Sequence, residues 1–115
     1  MSDRPDDLLV DDIWESLGRI REYVEGITED GFAADNKTVD AVVRNLEIVG
    51  EAANRLSDDF KRAHAEIEWK KIVGLRHRIV HEYFGVDVAI IWRIVQHDLP
   101  RLRELLAPIR RSLRS

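Results

Sequence analysis

A chain of 115 residues suits one domain, and its balance of 44% apolar and 35% charged residues excludes intrinsic disorder, because enough apolar surface exists to offset chain entropy. The absence of cysteine excludes disulfides, thiolate zinc sites and a cysteine nucleophile; no apolar run approaches the ~18 residues of a membrane span, and the acidic start Met1-Ser-Asp-Arg-Pro-Asp-Asp lacks the basic opening of a secretory signal, so a cytoplasmic protein is expected. The net charge of −4 hides a polarity, with 6 Lys/Arg against 16 Asp/Glu in residues 1–60 and 12 against 6 in residues 61–115, which can offer a polyanion one face or let the two halves meet. The first predicted helix runs from about Leu8 to Val24, with Leu9, Ile13, Leu17, Ile20 and Val24 at three- and four-residue steps and Asp6 or Asp7 as its cap. Gly26 to Asn36 reads as a loop rich in turn formers. A second helix spans about Lys37 to Leu56, with Val39, Val42, Val43, Leu46, Val49, Ala53 and Leu56 on one side. Gly50 lies within it and costs ~1 kcal/mol relative to Ala, which a close neighbouring helix can offset.

Ser57-Asp-Asp-Phe reads as a break, and residues 60–66 fit no single pattern. A third helix is expected from near Glu66 to about His81, stopped by Gly85. Asp87 caps a fourth, whose stripe of Val88, Ile91, Trp92, Val95, Leu99, Leu102, Leu106, Ile109 and Leu113 continues through Pro100, so a kink or two abutting helices is expected there. With no strand-like alternation, the fold class is all-α, an antiparallel bundle of four to five helices.

The densest polar segment is Leu75-Arg-His-Arg-Ile-Val-His-Glu-Tyr-Phe. Cleavage of an RNA phosphodiester needs a base of near-neutral pKa for the 2′-hydroxyl proton and a fixed cation for the charge growing on the phosphoryl oxygens. Histidine suits the first task and the planar fork of arginine the second, which singles out His81 and Arg76. At ~100° per residue the two lie about 140° apart on a straight helix. They converge only if the helix ends or distorts, if Arg76 spans the gap with its long side chain, or if a second subunit completes the site. Taken singly, a histidine at a helix end is a cap, a tyrosine beside Phe84 is core, and arginines near a helix C-terminus answer its dipole. His77 and His81 sit one turn apart as in metal sites, but a zinc site takes a third ligand; Glu82 points elsewhere on the helix and His64 and His97 lie far off in sequence, so no metal is expected. On the second helix Arg44, Glu47 and Glu51 form a row of helix neighbours that is either a surface ion-pair row or an acidic group orienting Arg76 or Arg78 across a helix interface.

Arg76, His81 and Tyr83 stand in the order R-x4-H-x-Y, which resembles the signature of HepT toxins in the HEPN superfamily. Ala41-Val-Val-Arg-Asn-Leu-Glu-Ile-Val-Gly-Glu-Ala resembles the family's second-helix block, and Trp69-Lys-Lys-Ile-Val-Gly-Leu-Arg the run into the motif. Tyr83-Phe-Gly-Val-Asp, Ile91-Trp and Asp98-Leu-Pro resemble its C-terminal part, so the likeness covers about residues 8–110 of a single HEPN-like domain, 1–115. One departure is His77, where relatives commonly carry Asn; it can supply a second acid–base group.

The resemblance implies a homodimeric endoribonuclease toxin that needs no metal or cofactor, cuts RNA (tRNA or mRNA) by 2′-hydroxyl attack and lines one cleft from both subunits. It implies Arg76 and His81 as catalytic residues; His77, Arg78, Arg44, Glu47 and Glu51 are the supporting residues expected from their own positions in the sequence. It also implies an MntA-like nucleotidyltransferase antitoxin as partner, which transfers AMP to the residue matching Tyr83. Two other readings stand beside it: a non-catalytic HEPN module that only partners a nucleotidyltransferase, and a purely structural dimeric bundle.

Overall fold

The computed structural model describes residues 4–82 and 87–114; residues 76 and 79–82 enter only through their helical backbone. Helix α1 (Asp6–Val24) buries Leu9, Ile13, Leu17, Ile20 and Val24, the stripe expected from its period. Its cap is not an aspartate. Pro5 holds the N-cap position, and the Asp6 carboxylate instead accepts from the Ser57 backbone N–H at 2.9 Å and its hydroxyl at 2.6 Å. Gly26, with φ +75°, turns the chain out of α1 through a conformation costly to a side-chain-bearing residue.

The expected loop at 26–36 contains a short helix, α2 (Glu29–Ala33). The Thr28 hydroxyl accepts from the Gly31 N–H at 3.0 Å, and Phe32 inserts into the core, 5.2 Å from the Trp92 ring. Helix α3 (Asn36–Arg55) begins at Asp35, whose carboxylate accepts from the Thr38 N–H at 3.2 Å and hydroxyl at 2.7 Å. Its buried face carries Val39, Val42, Val43, Leu46, Val49 and Ala53, with Gly50 also buried. Withdrawing a leucine such as Leu46 from water is worth roughly 1.5–3 kcal/mol.

The break at Ser57 is in fact the cap of another short helix, α4 (Asp58–Ala63): its hydroxyl accepts from the Phe60 N–H at 3.1 Å. Buried Phe60 meets His64 and Trp69 at ring separations of 4.5 and 6.0 Å. Helix α5 (Trp69–Glu82) starts three residues later than the sequence suggests, because the Trp69 indole N–H donates to the His64 carbonyl at 3.0 Å and holds 64–68 as a turn. The expected stop at Gly85 lies outside the described residues. Helix α6 (Val88–Arg93) is capped as expected by Asp87, which accepts from the Ala89 N–H at 3.1 Å.

No single kinked helix follows. A π turn over Ile94–Asp98 joins α6 to α7 (Leu99–Arg114), and the Leu99 N–H reaches back five residues to the Ile94 carbonyl. Pro100 has no N–H to give, and its ring would press on the Gln96 carbonyl in a regular ladder. Shifting the ladder by one residue just ahead of it resolves the conflict. Pro108 also lies inside α7, exposed to solvent.

Among the described residues there is no strand, and the all-α bundle expected from the sequence is present. Helix α1 runs antiparallel to α3, since Asp6 at its start meets Ser57 just past the end of α3. Helix α7 runs antiparallel to α1: Arg110 and Arg114 near its end both bind Asp11, at 3.1 and 3.0 Å. Helix α3 also packs on α5, and α2 lies against α3 and α6. The body measures 41 × 27 × 24 Å. Among the described residues no helix is long and apolar enough to cross a membrane.

Candidate functional site

The motif residues sit on the second half of α5. Trp69, Ile72 and Leu75 are buried on one side of that helix, and Lys70, Lys71, His77 and Arg78 are exposed on the other. The backbone stays helical from Trp69 through Glu82, so no distortion separates Arg76 from His81. Their positions therefore remain about 140° apart around the axis. The Arg76 position falls on the arc of Trp69 and Ile72, at the edge that meets the core. The His81 position falls within about 40° of exposed His77 and about 60° of exposed Arg78. Exposed His77 and Arg78 thus share a sector of α5 with the backbone position of His81, and the backbone position of Arg76 lies about 140° from it. Tyr83 lies outside the described residues.

The acidic row sits one helix away. Arg44 is exposed, and Glu47 and Glu51 are half-buried. With Leu9 and Asp12 of α1 they line a shallow groove of about 370 Å³ on the α1–α3 surface. The row is therefore part of a groove wall, and α3 carries it while packing against α5 through its buried side.

Among the described residues no cluster of three or more His, Asp or Glu could hold a metal ion. Of the C-terminal arginines, Arg110 and Arg114 are engaged with Asp11, whereas Arg101 and Arg111 are exposed. Two polar groups escaped the sequence reading. Asn45 is buried on α3 and donates to the Ala41 carbonyl at 2.9 Å, leaving its Oδ1 without a partner. Arg103 is half-buried, its guanidinium carbon 4.1 Å from the centre of the Trp14 ring. An Asn on a predicted apolar face is a visible signal; a contact between helices remote in sequence is not.

Residues 13–109 match the profile of the family described as ribonuclease HepT-like. The chain is 40% identical over 102 residues, 89% of its length and 93% of the relative's, to a protein named "Probable ribonuclease HepT" from Thermococcus cleftensis. It is 36% identical over 104 residues to a protein named "Putative RNase" from Methanocaldococcus jannaschii, covering 90% of this chain and 95% of that one. A protein of the same description from Caldanaerobacter subterraneus is 40% identical over 88 residues, 76% of this chain and 79% of the relative. No solved structure matches the chain.

Proposed function

Because the chain belongs to the ribonuclease HepT-like family, we propose that it is a metal-independent endoribonuclease toxin acting in the cytoplasm, with Arg76 and His81 as its catalytic pair. His81 takes the proton of a 2′-hydroxyl; the 2′-oxygen bonds to phosphorus, the bond to the 5′-oxygen breaks, and that oxygen picks up a proton. The products are a 2′,3′-cyclic phosphate and a 5′-hydroxyl. Arg76 stabilises the charge on the phosphoryl oxygens. His77, four residues before His81 on the helix, serves the second proton transfer, and Arg78 binds a flanking phosphate.

The observation that supports this reading best is the family match across residues 13–109 together with an unbroken helix under the motif. The 140° offset favours a cleft shared by two subunits, in which Arg76 of one copy serves with His81 of the other. An MntA-like nucleotidyltransferase antitoxin is the proposed partner, and Tyr83 the acceptor of its AMP. That adduct would set a phosphate and a purine beside Arg76 and block the cleft.

The purified protein should cleave RNA in the presence of EDTA. His81→Ala should lower kcat/KM by about 10²–10⁴-fold, the usual contribution of a positioned acid–base group. Equal cleavage by the His81→Ala protein would remove the catalytic assignment. A net-acidic chain is also compatible with a non-catalytic module that only partners the nucleotidyltransferase; absence of cleavage by the unmodified wild type would favour that reading.

A further inference from the structure

A second cationic feature lies on the α1–α7 seam, on elements other than α5. Arg103 and Arg110 are seven residues apart and share one face of α7, and both approach Trp14, at 4.1 and 5.3 Å from the ring centre. Arg110 has Asp11 as counter-ion. Arg103 has no such relief. Its Nη1 is buried without a hydrogen-bond partner. Burial first, then the positive charges of Arg21 and Arg110, pull its pKa below the ordinary value, and no carboxylate offsets them. A guanidinium still stays protonated. The fold therefore holds a cation against like charges with only an indole face to soften the cost.

Arg103 opens onto a groove of about 1050 Å³ between α1 and the corner of the π turn and α7, lined among others by Leu17, Gly18, Arg21, Gln96 and Leu99. At Gly18 a side chain would meet nothing within 4 Å, so that wall is open. Glu22, Glu25 and Glu104 also line the groove; all three are exposed. The space exceeds what an inorganic anion fills, and its floor of Leu17 and Leu99 suits the apolar side of a sugar or base.

We propose that Arg21 and Arg103 form a phosphate-binding subsite in this groove, which holds a backbone phosphate of RNA away from the α5 motif. The identity of the polyanion rests on the ribonuclease reading; the anion chemistry does not. Arg103 supplies the fixed donor, pre-oriented by Trp14, and Arg21 at the exposed rim closes on the phosphate from the α1 side.

The test uses the whole chain and two probes. Inorganic phosphate, titrated at constant ionic strength, should shift the Arg103 and Arg21 Nε–H NMR signals saturably, and Arg103→Gln should abolish the effect on Arg21. A single-stranded RNA, bound to the His81→Ala protein across a salt series, should bind roughly tenfold more weakly when Arg103→Gln is added. The slope of log affinity against log salt should fall by about 0.7, the value of one phosphate on a single strand. In the otherwise wild-type enzyme Arg103→Gln should raise KM for long RNA and leave turnover of a dinucleotide unchanged. Gly18→Glu, which places a carboxylate in the open wall, should act in the same direction and covers the case in which Arg103→Gln does not fold. RNA binding and slope unaltered by either variant would overturn the subsite even if the wild type cuts RNA. Phosphate shifts without any RNA binding would retire RNA as the ligand and with it the ribonuclease reading. No saturable phosphate shift would reduce Arg103 to a cover for Trp14.

Discussion

Asp35 illustrates how much one side chain can do at a helix start. It accepts from both the hydroxyl and the backbone N–H of Thr38, and these bonds, the hydroxyl first, hold its carboxyl below the ordinary value of 3.8. A depressed folded-state pKa means a contribution to stability that is complete above the unfolded value and is lost as pH falls through the folded one. Wild type should therefore have a higher urea midpoint than Asp35→Ala at pH 7, and the gap should close as pH drops below 4; a gap that persists unchanged to pH 2 would contradict the cap. At the motif, the helix was legible in the sequence: Arg76 and His81 stand on α5, the third helix expected from the periodicity. The Arg103–Trp14 pairing was not, because both residues read as ordinary members of amphipathic helices and only the α1–α7 packing brings them together.

The long helices follow from their periodicity. α1 and α3 bury the faces expected of them, because a stripe recurring over about five turns outweighs any local preference. The short helices α2 and α4 do not announce themselves that way. Each is too brief for a period to emerge and rests on one capping hydroxyl, Thr28 or Ser57, and one buried ring, Phe32 or Phe60. The π turn was equally hidden, since a one-residue shift leaves neighbouring apolar positions nearly in step. Helix α7 carries a more direct liability in Pro108, which removes a ladder hydrogen bond at a solvent-exposed position where nothing packed is gained. Pro108→Ala should raise stability by about 1–3 kcal/mol, the helix-interior penalty less the extra freedom it grants the unfolded chain, read as a higher urea midpoint. A lower midpoint would mean the proline is held in place by a contact on α7.

Across the whole molecule the acidic and basic halves of the chain partly neutralise each other. The seam of Asp11 with Arg110 and Arg114, and the contact of Lys71 with Asp98 at 3.7 Å, use cations that the sequence alone could have assigned to RNA. Exposed Lys70 and Arg78 lie on the outer face of α5, while Arg21 and Arg103 share their groove with Glu22, Glu25 and Glu104. The proposed AMP on Tyr83, two residues after His81 in sequence, would add a negative charge next to the motif, so the modification should switch off RNA binding as well as cleavage. Intact mass of the protein made together with the proposed nucleotidyltransferase should rise in units of AMP and stay unaltered in Tyr83→Phe; a gain retained in that variant would relocate the acceptor. The π turn, finally, absorbs one residue without losing the helix phase. Its wider turn carries five residues through about the angle that four sweep in an α-helix, so α6 and α7 stay nearly in register across Ile94–Asp98. Straightening the ladder with every residue kept would turn α7 by about 100° and swing Leu102, Leu106 and Ile109 off the core, and Arg103 and Arg110 off Trp14. A deletion within the turn keeps that phase and leaves only the Pro100 conflict, so it should be better tolerated than a deletion inside α7.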